Sequence, residues 1–208
     1  MEKNNEGEKE KNTEYRIKII LLGEPGVGKS SLISVYNGES FSEDIQSSIQ
    51  SSFLSKRLII NEKSYNIQIW DTAGQEKFRS INKIFIKDSH IVIFVYDITN
   101  RRSFLELKFW TEYVDELLGK YITIGIAANK IDLFESKGES VSKEEGQKLA
   151  EEKDGIFKQT SAKMDSGGFE KFVNELIKNF LSNNPALKNN SINLNIKKPT
   201  KNKKGKCC

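Results

Sequence analysis

Cysteine, histidine and proline are scarce in this 208-residue chain: its two cysteines are the vicinal pair Cys207 and Cys208, it has one histidine, His90, and it has three prolines. A vicinal pair at one end of a chain cannot staple a core. With a single imidazole it also falls short of the four ligands of a structural zinc site. Long apolar runs are missing too. The longest, residues 91–96, has six residues, against the ~20 needed for a membrane-spanning helix. Residues 1–14 are mostly Glu, Lys and Asn without an apolar stretch, so no secretory leader is expected and the protein should stay in the cytosol. Acidic residues are absent from position 176 onward, where eight lysines fall. That leaves 25 basic against 29 acidic residues before it, so the overall +4 divides into a body of −4 and a tail of +8. A nucleic-acid-binding domain would gather its cations on a folded face or helix, so no nucleic-acid partner is expected.

A chain of this length buries roughly 70% of its unfolded surface, enough for one core without cross-links. Composition predicts three zones: a charged arm over residues 1–14, one domain over 15–182, and an Asn- and Lys-rich disordered tail over 183–208. Within the domain, strands and helices alternate. Residues 16–22 (RIKIILL) read as a strand, 23–28 as a glycine-rich turn and 29–36 as a helix. Residues 54–60 and 65–70 flank a turn signal at 61–63 and predict a hairpin. The run 90–97 (HIVIFVYD) is apolar on both faces, as in a central strand covered on both sides. A helix over 104–118, a strand over 121–128, a helix over 143–153, a strand over 156–159 and a helix over 169–181 complete the pattern. It predicts an α/β domain with a six-stranded, mostly parallel sheet, one antiparallel strand, and helices on both faces. Ligands of such sheets bind beyond the carboxyl ends of the strands.

Three motifs fall there. Residues 23–30 read GEPGVGKS, a phosphate-loop pattern directly after a strand and before a helix. Backbone N–H groups around Gly26, Val27 and Gly28 can turn inward on phosphate oxygens, and the N-terminus of the new helix, at Lys29, Ser30 and Ser31, adds its positive end. Lys29 would reach the β and γ phosphates and the Ser30 hydroxyl would bind Mg2+. Residues 71–75, DTAGQ, place Asp71 at a strand end, where it can help hold Mg2+, and the Gly74 N–H near a γ-phosphate. Residues 129–132, NKID, place a carboxylate, Asp132, where it can accept two hydrogen bonds from guanine; adenine has no matching donor pair. Asn129 and Lys130 complete that element, and Ser161, Ala162 and Lys163 follow the last short strand, where backbone N–H groups can meet the guanine oxygen. Taken alone, DTAGQ also fits an N-cap and turn, and NKID a surface loop. Their positions at strand ends behind a phosphate loop favour the nucleotide reading.

With these motifs the chain resembles a Ras-like small GTPase, and more narrowly a Rab. The likeness spans about residues 15–182 and includes WDTAGQE (70–76), FVYDIT (94–99), NKID, TSAK (160–163) and the terminal Cys-Cys. It implies a single P-loop GTPase domain that cycles between GTP and GDP with Mg2+ and rearranges two switch segments. Ser48 falls where the family carries a Mg2+-binding threonine; it keeps the hydroxyl and loses the methyl. Gln50 replaces a frequent glycine, and Pro25 replaces a small residue in the phosphate loop, removing one N–H donor and fixing φ near about −65°. Phe41 falls where the family sets an aromatic edge-on to guanine; a plain hydrophobic anchor is the lesser alternative. Gln75 matches the glutamine that orients the attacking water. No cis arginine is evident, and Arg79 reads as an exposed structural residue.

The resemblance further implies slow hydrolysis unless a GTPase-activating protein assists, and control by an exchange factor and a GDP-dissociation inhibitor. Phe53, Trp70 and Phe85 match the three aromatic positions of Rab effector contact, although each also fits a core position. Cys207 and Cys208 match prenylation sites, so that two lipids and the basic tail would hold the chain on a membrane. The expected place is the cytosol and the cytoplasmic face of endomembranes. The stretch 48–57 (SIQSSFLSKR) is closer to the endocytic, endosomal branch. The competing readings are a scaffold that holds GTP for effectors and scarcely hydrolyses it, and an ATPase.

Overall fold

The computed structural model describes residues 15–42, 53–72, 79–119, 122–138, 140–164 and 167–185, with backbone alone for 79–82. Strand β1 (Tyr15–Leu22) leads through a glycine-rich loop into helix α1 (Lys29–Tyr36). Strands β2 (Phe53–Ile60) and β3 (Lys63–Asp71) form the expected hairpin. Its turn residues Asn61 and Glu62 have φ of 50° and 64°, the paired left-handed conformation whose twist suits a two-residue hairpin. Helix α2 (Arg79–Ile86), strand β4 (Ile91–Asp97), helices α3 (Arg101–Leu105) and α4 (Leu107–Leu118) and strand β5 (Thr123–Asn129) follow. A 3-10 turn (Ile131–Leu133), α5 (Phe134–Lys137), α6 (Lys143–Glu152), β6 (Ile156–Gln159) and α7 (Gly168–Asn183) end the described fold.

The sheet order is β2-β3-β1-β4-β5-β6; β2 pairs antiparallel with β3 and every other neighbour is parallel. This is the expected fold class. Some boundaries differ. The helix predicted over 104–118 is two helices that start earlier, because the Asn100 side chain accepts the N–H groups of Arg102 at 3.1 Å and Ser103 at 3.4 Å and so caps α3. Glu106 then separates α3 from α4. The strand predicted over 121–128 runs from Thr123 to Asn129, where pairing with β4 holds it from Ile91 to Asp97. Helix α2 has no counterpart among the sequence-based expectations.

Strand periodicity divides the core. Ile17, Ile19 and Leu21 of β1 point to the α1 and α7 side, where Leu32, Tyr36, Phe169, Phe172 and Leu176 close the layer. Ile20 and Leu22 point to the other side, against Ile86, Leu107, Trp110 and Val114. Strand β4 is buried at every position, as its uniform apolar run requires. Each such aliphatic or aromatic side chain contributes about 1.5–3 kcal/mol by leaving water. At the foot of the sheet, His90 Nδ1 accepts the backbone N–H of Lys18 at 2.9 Å and its ring lies edge-on to Phe180, 5.3 Å between centroids. Because β1 and β3–β6 run in register and parallel, their carboxyl ends and the loops that follow them lie along one rim.

Candidate functional site

The phosphate loop is built on glycines that no other residue could replace without strain. A Cβ on Gly23, at φ +150°, would lie 2.1 Å from the Val95 carbonyl oxygen. A Cβ on Gly28, at φ +98°, would lie 2.4 Å from Asn129 Nδ2. Gly28 is also the N-cap of α1 and makes no side-chain cap bond, so the first-turn N–H groups have no side chain turned over them and stay available to an anion. Val27 is buried while Pro25 and Gly26 are exposed at the loop tip. Lys29 is 3% exposed, and its ammonium donates to the carbonyls of Gly23 at 2.9 Å and Glu24 at 3.0 Å. It therefore arches back over the loop, with its charge at the concave side. Ser31 follows it in the first turn, half-buried.

Strand β3 delivers Asp71 beside this helix. Ser30 Oγ donates to Asp71 Oδ2 at 2.5 Å, across 41 residues of sequence, and Asp71 is buried. A hydroxyl and a carboxylate are hard oxygen donors, the set that suits Mg2+ at one or two protein positions beside phosphate oxygens. The next residue, Thr72, donates through Oγ1 to the Leu21 carbonyl at 2.9 Å and locks the end of β3 to β1.

The loops after β4, β5 and β6 are cross-braced. Asn129 Nδ2 donates to the Val27 carbonyl at 2.8 Å, and its Oδ1 accepts from Thr160 Oγ1 at 3.1 Å. One buried amide thus joins the phosphate loop to both base-side loops. Lys130 adopts φ 67° and pairs through Nζ with Asp97 Oδ2 at 2.9 Å. Burial pushes the Asp97 carboxyl up, but the hydrogen bonds from Lys130 and Thr99 outweigh it and hold that carboxyl below its ordinary range. Ser161 Oγ donates to Asp132 Oδ1 at 2.5 Å and accepts the Met164 N–H at 3.0 Å. Ser161 and Ala162 are buried, whereas Lys163 is exposed. The carboxylate of Asp132 is thereby set at the mouth of the base-side loops, oriented by a neighbouring hydroxyl.

Among the residues expected at the site, hydrogen bonds join Ser30 to Asp71, Val27 to Asn129 and Asp132 to Ser161. Phe41 lies partly buried against the α1–α7 core, the contact of a hydrophobic anchor. Ser48, Gln50, Gly74, Gln75, Cys207 and Cys208 lie outside the described residues, as does the side chain of Arg79. Phe53, Trp70 and Phe85 form one row: the first two rings are 4.7 Å apart between centroids and the second two 6.0 Å. Phe53 is 48% exposed, while Trp70 and Phe85 also pack against the α4 side of the core. Three supporting residues, Asp97, Thr160 and Thr72, stand inside the quoted motifs FVYDIT, TSAK and DTAGQ, but the sequence reading assigned them no role. Asp97 had a visible signal, an acid ending a wholly apolar strand; in register it sits beside Asn129.

The chain is similar to known proteins along most of its length. The Ras family pattern matches residues 18–182. Ras-related protein Rab-21 of Homo sapiens is 42% identical over 159 residues, covering 76% of this chain and 70% of that protein. Ras-related protein Rab-21 of Bos taurus is 41% identical over 159 residues, covering 76% and 71%. The protein of the same name from the sponge Geodia cydonium is 38% identical over 170 residues, covering 82% and 73%.

Proposed function

The chain belongs to the Ras family, as a Rab small GTPase, and on that premise we propose that it is a GTP-hydrolysing switch that recruits effectors to a trafficking membrane in its GTP-bound form. The observation that carries the reading is the single buried Asn129 amide, which ties the phosphate loop to the base-side loops and so joins guanine selection to phosphate binding. Asp132 reads the guanine N1–H and exocyclic amine. Lys29 and the α1 N-terminus bind the β and γ phosphates, and Ser30, Asp71 and Ser48 would hold Mg2+, which would supply charge neutralisation for the phosphoryl transfer. Gln75 orients a water whose oxygen bonds to the γ-phosphorus while the bond to the β–γ bridging oxygen breaks. Hydrolysis is slow by itself, and an arginine supplied by a GTPase-activating protein raises it by roughly 10³ to 10⁵. Phe41, which packs partly against the α1–α7 core, is proposed to turn its remaining exposed edge to guanine.

Membrane attachment follows from chemistry outside the described domain. No helix of the described residues is long and apolar enough to cross a membrane. We assign anchoring to prenyl groups on Cys207 and Cys208 assisted by the tail lysines, since two lipid signals give stable binding where one does not. The cytoplasmic face of endosomal membranes is the proposed place. An exchange factor and a GDP-dissociation inhibitor complete the cycle.

Single-turnover assay of GTP-loaded protein tests the enzyme reading. Phosphate release that Gln75→Leu abolishes is expected. A second reading, a GTP-holding scaffold, is favoured by Pro25, which removes an N–H donor at the exposed loop tip. Absence of phosphate release even with activating proteins would establish that reading instead. Guanine nucleotide recovered from the purified protein, with no adenine nucleotide, excludes an ATPase.

A further inference from the structure

Below the aromatic row, the described residues leave the sheet face on the α2 side partly exposed. Register places four ranks across it. Phe53 and Trp70 form the first; Ser55, Gln68 and Lys18 the second; Arg57, Asn66 and Arg16 the third; Ile59 and Ser64 the last. Along β2, Phe53, Ser55, Arg57 and Ile59 are all exposed, Ile59 by 77%. Rise along a strand makes Phe53 to Ile59 a span of about 20 Å, and strand spacing sets Arg57 and Arg16 about 10 Å apart. The face is apolar at both ends and cationic in the middle.

Its charge is one-sided. Strands β1, β2 and β3 carry a single acid, Asp71, which is buried at the phosphate site. Among the described residues no carboxylate forms an ion pair with Arg16, Lys18 or Arg57. The fixed groups between them are ordered. Arg57 Nε donates to Ser64 Oγ at 2.6 Å, and Ser55 Oγ donates to Asn66 Oδ1 at 2.7 Å. Lys18 Nζ is held by the Lys87 carbonyl at 2.7 Å and lies 5.4 Å from the Trp70 ring. Burial pushes the Lys18 ammonium below its ordinary pKa despite the charge of Asp88. A carboxylate arriving there would restore what desolvation takes away.

We infer that this face docks an acidic segment of a protein partner, about 20 Å long, with glutamates or aspartates over Lys18, Arg57 and Arg16 and an apolar residue at each end, on Phe53–Trp70 and on Ile59. The inference rests on the effector reading above and gives that partner a chemistry. A protein segment is favoured over a lipid surface because the cations are interleaved with hydrogen-bonded polar groups at fixed spacings. A bilayer makes no use of such spacing.

The test uses the full chain, unlipidated, with Gln75→Leu and a non-hydrolysable GTP analogue. The probes are three synthetic helical peptides with leucines at both ends and glutamate, glutamine or lysine in the centre, read by fluorescence anisotropy. The glutamate peptide is expected to bind about tenfold tighter than the glutamine one at low salt, an advantage that shrinks as salt screens it. In a chain carrying Arg16→Glu and Arg57→Glu the order should reverse in favour of the lysine peptide. Both positions are exposed, and an unchanged unfolding midpoint and nucleotide content will confirm an intact fold. Equal binding of the glutamate and glutamine peptides overturns the inference. So does failure of every peptide, including when phosphatidylcholine–phosphatidylserine vesicles or single-stranded RNA bind in a way the double variant abolishes. A glutamate preference that persists with GDP supports the acidic partner while removing nucleotide control; nucleotide-dependent binding without that preference keeps the switch and overturns the acidic partner.

Discussion

The two edges of the sheet are built for opposite tasks. At the β5–β6 edge, strand β5 is buried throughout and its loop is braced by Asn129, Asp97, Thr160 and Ser161, each bonded to a residue of another loop or of its own turn. At the β2–β3 edge, exposure alternates along β2, and an aromatic row and a cationic strip face outward. The base-side edge is completed from within, so its geometry stands ready for a ligand. The hairpin edge keeps polar and apolar groups that no described residue covers, as suits a surface that reports a state rather than reads a base.

The largest effect is expected at the braced edge. Replacing Asp132 with Ala removes a carboxylate placed for two charge-assisted hydrogen bonds, each worth about 1.5–3 kcal/mol, so guanine affinity should fall by roughly 10² to 10⁴. Competition of GTP against ATP measures it, and a preserved guanine preference would move base selection elsewhere. Next comes Asn129→Ala, which strands the Val27 carbonyl and the Thr160 hydroxyl; at about 1–3 kcal/mol for each unsatisfied group, urea unfolding should lose about 2–5 kcal/mol. Faster GDP release should accompany that loss, because the phosphate loop is no longer tied to the base side.

At the hairpin edge the same truncation should separate stability from binding. Trp70→Ala removes a ring packed on both Phe53 and Phe85 and should cost about 2–4 kcal/mol of stability. Phe53→Ala, at the exposed end of the row, should cost less than about 1 kcal/mol yet weaken effector binding as much. Equal stability losses would make the row a core feature only.

The smallest effect is a pH dependence at the foot of the sheet, beside Arg16 and Lys18 of the cationic strip. Burial, with the positive charges of Arg16 and Lys18 beside it and Asp88 opposing, lowers the His90 pKa below its ordinary 6.5. The neutral ring is also the one that accepts the Lys18 N–H. The unfolded chain therefore binds the proton more readily. Stability from this site is present above pH 6.5 and is lost as pH falls through the lowered folded value. His90→Asn should flatten the fall in unfolding midpoint across that window.

Much of this was legible before any coordinates. The apolar run of β4, the helix over 169–181 and the hairpin turn signal at 61–63 all announced themselves through local periodicity and turn chemistry. Helix α2 did not, because its eight residues, RSINKIFI, are too short a window for helical spacing to stand out. The start of α3 was missed because its Asn100 cap precedes a charged pair, Arg101 and Arg102, which carries no apolar rhythm.

Sequence alone determined the chemistry of the phosphate loop, because a cradle of successive N–H groups, the lysine behind them and the hydroxyl beside them lie within eight contiguous residues, and a local backbone path needs no distant partner. Tertiary structure alone decided what joins that loop to the base side. Asn129 and Val27 are 102 residues apart, the pair Phe53–Trp70 and the group Lys18–Arg57–Arg16 exist only through the register of neighbouring strands, and Phe85 joins the aromatic row only because α2 packs beside it. Register is set by the burial of whole strand faces, a sum over the core that no single stretch of residues carries.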